Sequence, residues 1–407
     1  MAEDWTEFPA EIIVEGKIRA VVPNLKAYGV VPSDYAPSRA PVFFNPVMEF
    51  NRDLSVLALQ AYQRIVNREL SVCEPLTATG IRGLRYAADV RGVKTVVSGD
   101  INAHSAKLAE HNIVLNSLTD RVSIEHKDAN RLLIEHSAPK TRFDFVDIDP
   151  FGTPVPHLNS AVQALRNNGL LAATATDMAP LCGVHAKACI RKYGGRPMRT
   201  EYCQELAVRF LSGAIATAAA KHDAGVRVLF SHCSDHYIRV YAQIGYGAQK
   251  ADDALRNMGY VLHCFSCLHR ETASKPFPES ATKCPECGDR MDWGGPMWLG
   301  KIFDGHFIDL LANENLQRAF RNSAKITKLL ALAAVEADMP PTYYVLDRLS
   351  GKFGLPAPSS AKFFETLRAG GFKAVATHFN SRGVRTDAPA SAMRIILKNM
   401  VGSANGT

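Results

Sequence analysis

The chain has 407 residues, of which 47% are apolar and 21% charged, and its formal net charge is +7. At roughly 150 residues per domain this length predicts two or three domains, and the composition excludes long disorder. The mildly basic balance is compatible with nucleic acid. The most apolar stretch, 206–220, is too short for a membrane span and contains Arg209, so we expect no such span. The acidic beginning MAEDWTEF lacks the apolar stretch of a secretory signal, so we expect no signal peptide there. The nine cysteines, an odd number, fit a reducing cytosol, so we expect a cytoplasmic protein.

The first half of the chain alternates between predicted strands and helices. Residues 11–22 are typical of a hairpin around Glu15-Gly16, and the apolar spacing over 53–67 predicts a helix. Five apolar strands then alternate with helices, which predicts a parallel sheet covered on both faces. These strands are predicted at 70–74, 93–99, 122–126, 143–148 and 169–175. A long helix at 201–222 precedes two strands, at 226–231 and 237–244, that should close the sheet as an antiparallel hairpin.

The pattern changes near residue 250, which divides the chain into predicted domains 1–248 and 249–407. The second domain contains a four-cysteine segment at 263–292 and predicted helices at 314–337, 342–352, 359–369 and 390–400. Residues 361–400 carry seven basic residues and two acids, a charge cluster that suits a polyanion, although a solvated face is the alternative. The seven are Lys362, Arg368, Lys373, Arg382, Arg385, Arg394 and Lys398.

Four of the nine cysteines form two close pairs, Cys264 with Cys267 and Cys284 with Cys287. Two such pairs, sixteen residues apart, match the ligand spacing of a tetrahedral zinc site. Because all four ligands come from the protein, the Zn²⁺ would be structural rather than catalytic. Reduced thiols or two disulfides are the alternative, although an odd number of cysteines is typical of a reducing compartment.

Three successive predicted strands end in features that suit a nucleoside cofactor. The first runs into the glycine-containing turn 74–83, EPLTATGIRG, where backbone N–H groups can approach a ligand. Asp100 ends the second strand and can accept hydrogen bonds from ribose hydroxyls. Asp128 follows the third and can accept from an adenine amino group, while the Ala129 N–H donates to the ring. Each acid also precedes a predicted helix, so ordinary N-capping is the alternative.

The fourth strand ends in Asp149-Pro150-Phe151-Gly152. The exocyclic amine of a nucleobase is a poor nucleophile, and a carboxylate with a backbone carbonyl can orient it and accept its proton. Pro150 would rigidify the loop, and Phe151 would stack on the base. An ordinary turn is the alternative for an Asp-Pro pair.

With these motifs the sequence resembles the tRNA guanine-26 N2-dimethyltransferases of archaea and eukaryotes. The resemblance covers nearly the whole chain, and its matching stretches are FFNPVMEFNRDLSVL (43–57), EPLTATGIRGLRYA (74–87), GDIN (99–102), KDAN (127–130), FDFVDIDPFGTP (143–154), TATDMAPLCG (174–183) and the four-cysteine segment. The resemblance implies a class I, Rossmann-like α/β methyltransferase domain followed by a zinc-containing α+β domain. It also implies S-adenosylmethionine as methyl donor and tRNA as partner. We expect residues 361–400 and the cysteine segment to contact the RNA phosphates, and we expect a monomer.

The resemblance further implies roles for individual residues. Arg52 and Arg82 would contact the methionine portion of the donor, Asp100 the ribose, and Asp128 with Ala129 the adenine. Asp149 would be the catalytic acceptor, and Phe151 and Phe43 would sandwich an everted guanine. Without the resemblance, the two arginines would be assigned to solvated helix faces and Phe43 to the core.

Three other functions remain open from the residues alone. Cys182 could be the nucleophile of an RNA cytosine-C5 methyltransferase, although a small buried residue is the simpler interpretation. The chain could be a non-catalytic zinc-ribbon RNA-binding protein, but intact acids at all three strand ends argue against it. A nicotinamide oxidoreductase is disfavoured by the incomplete glycine pattern.

Overall fold

The computed structural model describes residues 5–29, 36–234, 236–275 and 283–404. The predicted hairpin is present as strands β1 (Ala10–Glu15) and β2 (Ile18–Pro23), which pair antiparallel around Gly16. Helix α1 (Glu49–Val66) begins four residues earlier than its apolar spacing predicted. A short 3-10 turn at Pro46–Met48 leads into it, and the Asn45 side chain accepts from Val47 N there, which sets the direction of the chain into α1.

A seven-stranded sheet forms the centre of the molecule. Its strands are β3 (Leu70–Glu74), β4 (Val93–Asp100), β5 (Val122–His126), β6 (Phe143–Ile148), β7 (Leu165–Ala175), β8 (Ala224–Ser234) and β9 (Tyr237–Tyr246). They lie in the order β5-β4-β3-β6-β7-β9-β8. All pairs from β5 to β7 are parallel, and β9 runs antiparallel to both neighbours. The predicted parallel sheet with a closing antiparallel hairpin is therefore confirmed.

Helices connect these strands. They are α2 (Ile81–Asp89), α3 (Ala103–Leu115), α4 (Ala129–Glu135), α5 (Val155–Ala164), α6 (Met178–Leu181), α7 (Ala186–Tyr193), α8 (Cys203–Ala220) and α9 (Ala248–Leu255). Of these, α2, α3, α4, α5 and α8 were predicted, whereas α6, α7 and α9 were not. The chain crosses from one side of β3 to the other between β5 and β6, so the strand order reverses next to β3 and β6. In open α/β sheets such a reversal opens a crevice at the carboxyl ends of the strands, where ligands bind.

The remaining chain forms two three-stranded sheets and five helices within the described residues. The first sheet contains β10 (Met258–His263), β11 (Arg270–Ala273) and β12 (Asp292–Trp298), and α10 (Gly305–Leu316) and α11 (Ser323–Glu336) follow it. The second contains β13 (Tyr344–Val345), β14 (Ala374–Thr377) and β15 (Asn380–Thr386). Helices α12 (Leu346–Lys352), α13 (Ser360–Ala369) and α14 (Ala390–Ala404) complete the chain.

Two helices stand where one was predicted over 314–337. The chain leaves the helical path between α10 and α11 because Asn315, near the end of α10, donates from its side chain to Ser323 O at 3.1 Å and to Thr327 Oγ1 at 3.0 Å. Arg318 also turns away and donates to Asp89 O at 2.8 Å. Such side-chain bonds compete with the helix ladder, and an apolar period does not reveal them.

The hydrophobic core does not divide at residue 249. The largest cluster of buried side chains extends from the hairpin and central sheet through Trp298 and Phe307 to Leu330. A separate cluster, which includes Leu346, Phe363 and Met393, lies under the C-terminal helices. The sheet of β10–β12 and helices α10 and α11 therefore pack on the methyltransferase-like unit, and the predicted domain boundary stays a prediction. None of the described helices is long and apolar enough to cross a membrane.

Candidate active site and candidate metal centre

Asp149 lies at the carboxyl end of β6, beside the reversal of strand order. Its side chain is 15% exposed, and its Oδ2 atom accepts from the guanidinium of Arg82 on α2. The second oxygen, Oδ1, has no hydrogen-bond partner among the residues that the structure describes. One carboxylate oxygen is thus held in place while the other keeps its lone pairs unused among the described residues, which is the arrangement that an amine-orienting acceptor requires.

Arg82 is buried, and contacts on several sides hold it. Its Nη1 atom donates to Asn51 Oδ1 at 2.9 Å and to Ser55 Oγ at 2.8 Å, both on α1. Burial lowers the pKa of Arg82, but the Asp149 and Asp147 carboxylates outweigh it and the pKa lies above its ordinary value. The solvated-face assignment of Arg82 is wrong, because this side chain is 6% exposed and fixes the orientation of Asp149.

A second buried ion pair supports the same strand. Asp147, two residues before Asp149, accepts from Arg239 Nη2 at 2.8 and 2.7 Å and also from the Tyr86 hydroxyl. Arg239 comes from β9 and donates further to Thr174 on β7 at 2.6 Å. Sequence reasoning missed this pair. The available signal was an acid inside an apolar strand that is buried on both faces, because a buried carboxylate needs a partner.

The two aromatic residues assigned to the guanine lie together at the site. The Phe43 and Phe151 rings are 4.6 Å apart between centroids and nearly perpendicular, at 89°. Phe151 is 74% exposed and Phe43 is half-buried. A base cannot lie between rings in edge-to-face contact, so a sandwich requires one ring to move, and Phe151 has the space to do so.

The glycine-containing turn brings β3, α2 and β4 into close contact. Glu74 Oε2 accepts from Thr77 Oγ1 at 2.8 Å and from Gly83 N at 2.9 Å. A Cβ on Gly83 would lie 2.6 Å from Ser98 Oγ and 2.8 Å from Glu74 Oε2, so no larger residue fits there. Asp100 accepts from Ala78 N at 2.9 Å, which ties the turn to the end of β4. The turn and Asp100 are therefore adjacent, as their positions in the sequence predicted.

Asp128 lies between β5 and α4, as the sequence predicted. It also forms the ordinary N-cap of α4, which was the alternative to a ligand-binding role. Its Oδ1 atom accepts from Asn130 N at 2.9 Å and from Arg131 N at 3.1 Å. Its Oδ2 atom has no partner among the described residues, and the neighbouring Ala129 is buried. One oxygen thus remains free for a ligand amine even though the other serves as the cap.

Arg52 does not lie on a solvated helix face. Its guanidinium forms a two-pronged ion pair with Glu15 of the hairpin, with Nε–Oε1 and Nη2–Oε2 distances of 2.7 Å each. Arg85 donates to the same carboxylate at 2.9 Å. Burial raises the pKa of Glu15, but the two arginines lower it further, so the net shift is downward. Glu15 therefore fixes Arg52 beside Asn45, to whose carbonyl Arg52 also donates at 3.4 Å.

The four paired cysteines converge at the end of the β10–β12 sheet. Their sulfur atoms all lie within 4.8 Å of one another, and Cys264–Cys287 and Cys267–Cys284 are each 3.5 Å apart. No disulfide joins them. Within the predicted segment 263–292, residues 276–282 lie outside the described residues.

The two cysteine turns have the same backbone geometry. Leu268 N donates to Cys264 O at 2.8 Å, and Gly288 N donates to Cys284 O at 2.9 Å. The residue after each pair is left-handed, with φ of +65° at Leu268 and +77° at Gly288. This repeated turn points both sulfurs of each pair the same way, so the donor set suits one tetrahedral metal ion.

Cys182, the residue on which the cytosine-C5 alternative depends, is poorly suited to nucleophilic attack. A hydrogen bond with Cys203 raises the pKa of the Cys182 thiol, and burial raises it further. The thiolate, not the thiol, is the nucleophile, so this environment disfavours a covalent mechanism.

The basic C-terminal tail is only partly available to RNA. Arg385 on β15 is buried, with ion pairs to Glu205 at 2.7 Å and Glu336 at 2.9 Å, so its predicted contact with RNA is wrong. Arg382 is paired with Asp347 at 2.9 Å. The other five basic residues are exposed: Lys362, Arg368, Lys373, Arg394 and Lys398.

The strand order and the acids at three strand ends define the protein as a member of the Rossmann-like methyltransferase fold class. The solved structure of Trm1 from Pyrococcus horikoshii, described as a complex with S-adenosyl-L-methionine, matches with a TM-score of 0.83. It is 31% identical, and the match covers 95% of this chain and 99% of that one.

Comparison of sequences then identifies the family. The model of N2,N2-dimethylguanosine tRNA methyltransferases matches residues 16–398, so the chain belongs to that family. The tRNA (guanine(26)-N(2))-dimethyltransferase of Methanothermobacter thermautotrophicus is 42% identical over 364 residues, 89% of this chain and 94% of that relative. The tRNA (guanine(26)-N(2)/guanine(27)-N(2))-dimethyltransferase of Aquifex aeolicus is 34% identical over 383 residues, 93% of each chain. The resemblance noted from the motifs is confirmed.

Proposed function

We propose that the protein transfers two methyl groups from S-adenosylmethionine to N2 of guanosine 26 in tRNA. The single observation that carries this is Asp149, with Oδ2 held by Arg82 and Oδ1 open beside an exposed aromatic ring. Family membership supports the substrate, and the crevice at the strand ends supports the donor.

The described residues fit the proposed donor at each end of the crevice. Asp100 would accept from the ribose hydroxyls through lone pairs that Ala78 and Asn102 leave unused. Asp128 Oδ2 and the Ala129 N–H would take the adenine. Arg52, fixed by Glu15, and Arg82 are the cations nearest the place where the methionine carboxylate would lie. When bound, the donor supplies an electrophilic methyl group.

The chain's own part in the reaction is to position the guanine amine. Asp149 Oδ1 would accept an N2–H bond, and the carbonyl of Pro150 would accept the second. This holds the amine in line with the methyl carbon, and such positioning accounts for much of the acceleration in group transfer. Asp149 also accepts the proton that leaves as the N–C bond forms.

Two successive transfers constrain the pocket. After the first, only one N–H remains, and a methyl group stands where a hydrogen was. We therefore propose that little bulk lies beside the amine and that the product rotates to present its remaining N–H to Asp149. The crevice must also admit an everted base, at a cost of a few kcal/mol that stacking on Phe151 and Phe43 offsets.

We further propose that Cys264, Cys267, Cys284 and Cys287 hold one structural Zn²⁺ in a C-terminal domain that begins near residue 249. Exposed basic residues of 361–400 would contact the tRNA backbone. We keep the expectation of a monomer, and tRNA as substrate together with cysteines that form no disulfide supports a cytoplasmic location.

Nucleoside mass analysis of an unmodified tRNA transcript, incubated with the protein and donor, tests this function. We expect N2,N2-dimethylguanosine to form, and no product when guanosine 26 is replaced by adenosine. If product still forms in that transcript and disappears only when guanosine 27 is replaced as well, the target is guanosine 27, a position that the name of the Aquifex aeolicus relative gives beside guanine 26. Absence of any methylated guanosine from the native transcript would contradict the proposal.

A further inference from the structure

A concentration of positive charge lies outside the C-terminal tail. Residues 178–200, which we call the basic segment, contain no Asp or Glu and five basic side chains, against +7 for the whole chain. The five are Lys187, Arg191, Lys192, Arg196 and Arg199. The segment contains α6 and α7 and leads into α8.

The basic segment is attached directly to the loop that contains Asp149. Gly152 N donates to Thr176 Oγ1 at 2.8 Å, and Thr176 N donates back to Gly152 O at 2.8 Å. The next residue, Asp177, accepts from Lys192 Nζ at 2.9 Å and from the Tyr193 hydroxyl at 2.5 Å. Helix α7 is therefore tied, through Asp177 and Thr176, to the loop that contains Asp149 and Phe151 at the carboxyl end of β6.

Three of the five cations are exposed and have no ion pair among the described residues: Lys187, Arg191 and Arg199. Lys187 and Arg191 lie one turn apart on α7, where like charges repel and weaken a helix. The helix dipole favours Arg191 near the carboxyl end of α7 but disfavours Lys187 in its first turn. Folding of α7 therefore does not account for Lys187, whereas binding of a polyanion does.

We infer that Lys187 and Arg191, with Arg199, bind the backbone phosphates of the nucleotides that flank the methylated guanosine. This inference rests on the proposed function, because it assumes that a base reaches Asp149. A base everted into the crevice brings its flanking phosphates to the rim, and the basic segment forms the rim beyond β7. Phosphate contacts of this kind position the RNA and supply much of the affinity without reading its sequence.

The other two cations of the basic segment have structural partners. Lys192 pairs with Asp177, and Arg196 pairs with Asp292 at 2.7 Å and lies over the Trp293 ring at 4.9 Å. They anchor α7 and the following turn to β7 and β12. Phosphate binding is therefore assigned to Lys187, Arg191 and Arg199. These residues can be replaced without breaking the ion pairs of Lys192 and Arg196.

The test is the double variant Lys187→Gln/Arg191→Gln in the full-length protein. Its control is Lys94→Gln/Lys140→Gln, which removes the same charge from exposed positions at the amino ends of β4 and β6, away from the crevice. The measurements are the Kd for unmodified tRNA over a series of KCl concentrations, the KM for tRNA, and the Kd for S-adenosylmethionine.

We expect the double variant to bind tRNA roughly tenfold more weakly and to lower the slope of log Kd against log[KCl] by about two. Its affinity for S-adenosylmethionine should stay the same, which also shows that it is folded, and the control should match the wild type. If the double variant shows the same slope of log Kd against log[KCl] as the wild type, and the wild type methylates tRNA, the phosphate-binding inference is overturned and the proposed function stands. Failure of the wild type to methylate tRNA contradicts the proposed function instead.

Discussion

Phe151 combines high exposure with a position next to the proposed acceptor. A phenylalanine ring that stays in water gives up the free energy that burial would supply, so a 74% exposed ring requires another reason. Its contact with Phe43 is edge-to-face, which leaves one ring face available. The proposed stacking of an everted base on that face would supply the reason.

Replacement of Phe151 by alanine tests this role. Loss of a base stack should lower kcat/KM for tRNA roughly ten- to hundredfold, because stacking contributes about 1–3 kcal/mol per base. The melting temperature should stay near the wild-type value, since the ring is mostly exposed. Steady-state kinetics and thermal unfolding measure the two quantities, and an unchanged kcat/KM would contradict the stacking role.

Residues at strand ends were predictable from the sequence, but their partners were not. Asp100, Asp128 and Asp149 lie at one edge of the sheet because β4, β5 and β6 run parallel, so their carboxyl ends share that edge, although β3 separates β4 from β6. The Glu15–Arg52 and Asp147–Arg239 pairs join residues 37 and 92 positions apart. No local pattern encodes such pairing, and for the same reason Arg385 was misassigned to the surface.

At the scale of elements, the two cysteine turns form a unit whose core is small. The buried side chains around it are Leu262, Met291 and three of the four cysteines. A cluster of this size buries too little apolar surface to hold two turns together, and the proposed metal ion would supply the missing stability.

Metal analysis of the purified protein should find about one Zn²⁺ per chain. Cys287→Ser should lose the ion and lower the melting temperature, because the tetrahedral set is then incomplete. Cys182→Ser is the control, and it should keep both the ion and full activity. Zinc retained at wild-type stoichiometry in Cys287→Ser would contradict the assignment, and loss of activity in Cys182→Ser would reopen the cytosine-C5 alternative.

The elements themselves were largely predictable. All seven strands of the central sheet were located from the sequence, and the clearest were those buried on both faces, such as β6, because they leave a continuous apolar run; the partly exposed edge strand β5 left a weaker one. The break between α10 and α11 was not predictable, since it depends on side-chain bonds from Asn315. Helix α7 was not predicted. The charge of the basic segment 178–200, which contains α7, five cations and no acid, was also overlooked.

At the scale of the whole molecule, a buried ion cluster joins the methyltransferase-like unit to the C-terminal sheet. Glu205 on α8 accepts from Arg385 on β15 at 2.7 Å, and Arg209 and the Thr342 N–H also bind it. Burial raises the pKa of Glu205, but Arg385 and Arg209 outweigh it and bring the pKa to about 2. Because this value lies below the ordinary 4.5, the stabilisation is complete above about pH 4.5 and is lost as the pH falls toward 2.

Glu205→Gln should lower the free energy of unfolding by about 3 kcal/mol at pH 7, since it leaves buried arginines short of a partner. The difference from the wild type should shrink between pH 4.5 and pH 2.5, because in this range the unfolded wild-type chain binds a proton at Glu205 that the folded chain, with its lowered pKa, does not. Urea unfolding of the variant and the wild type at pH 4.5 and pH 2.5 measures this difference in free energy. Glu365→Gln, which changes an exposed side chain, is the control. An equal difference at both pH values would contradict the assigned ion cluster.

The central claim is that the Asp149 carboxylate orients the guanine amine against the methyl donor. Single-turnover methyl transfer by Asp149→Asn, measured together with its Kd for S-adenosylmethionine, tests this most directly, because asparagine keeps the shape of the side chain. We predict a rate roughly 10²- to 10⁴-fold below that of the wild type with donor affinity nearly intact. A rate close to that of the wild type would contradict the account.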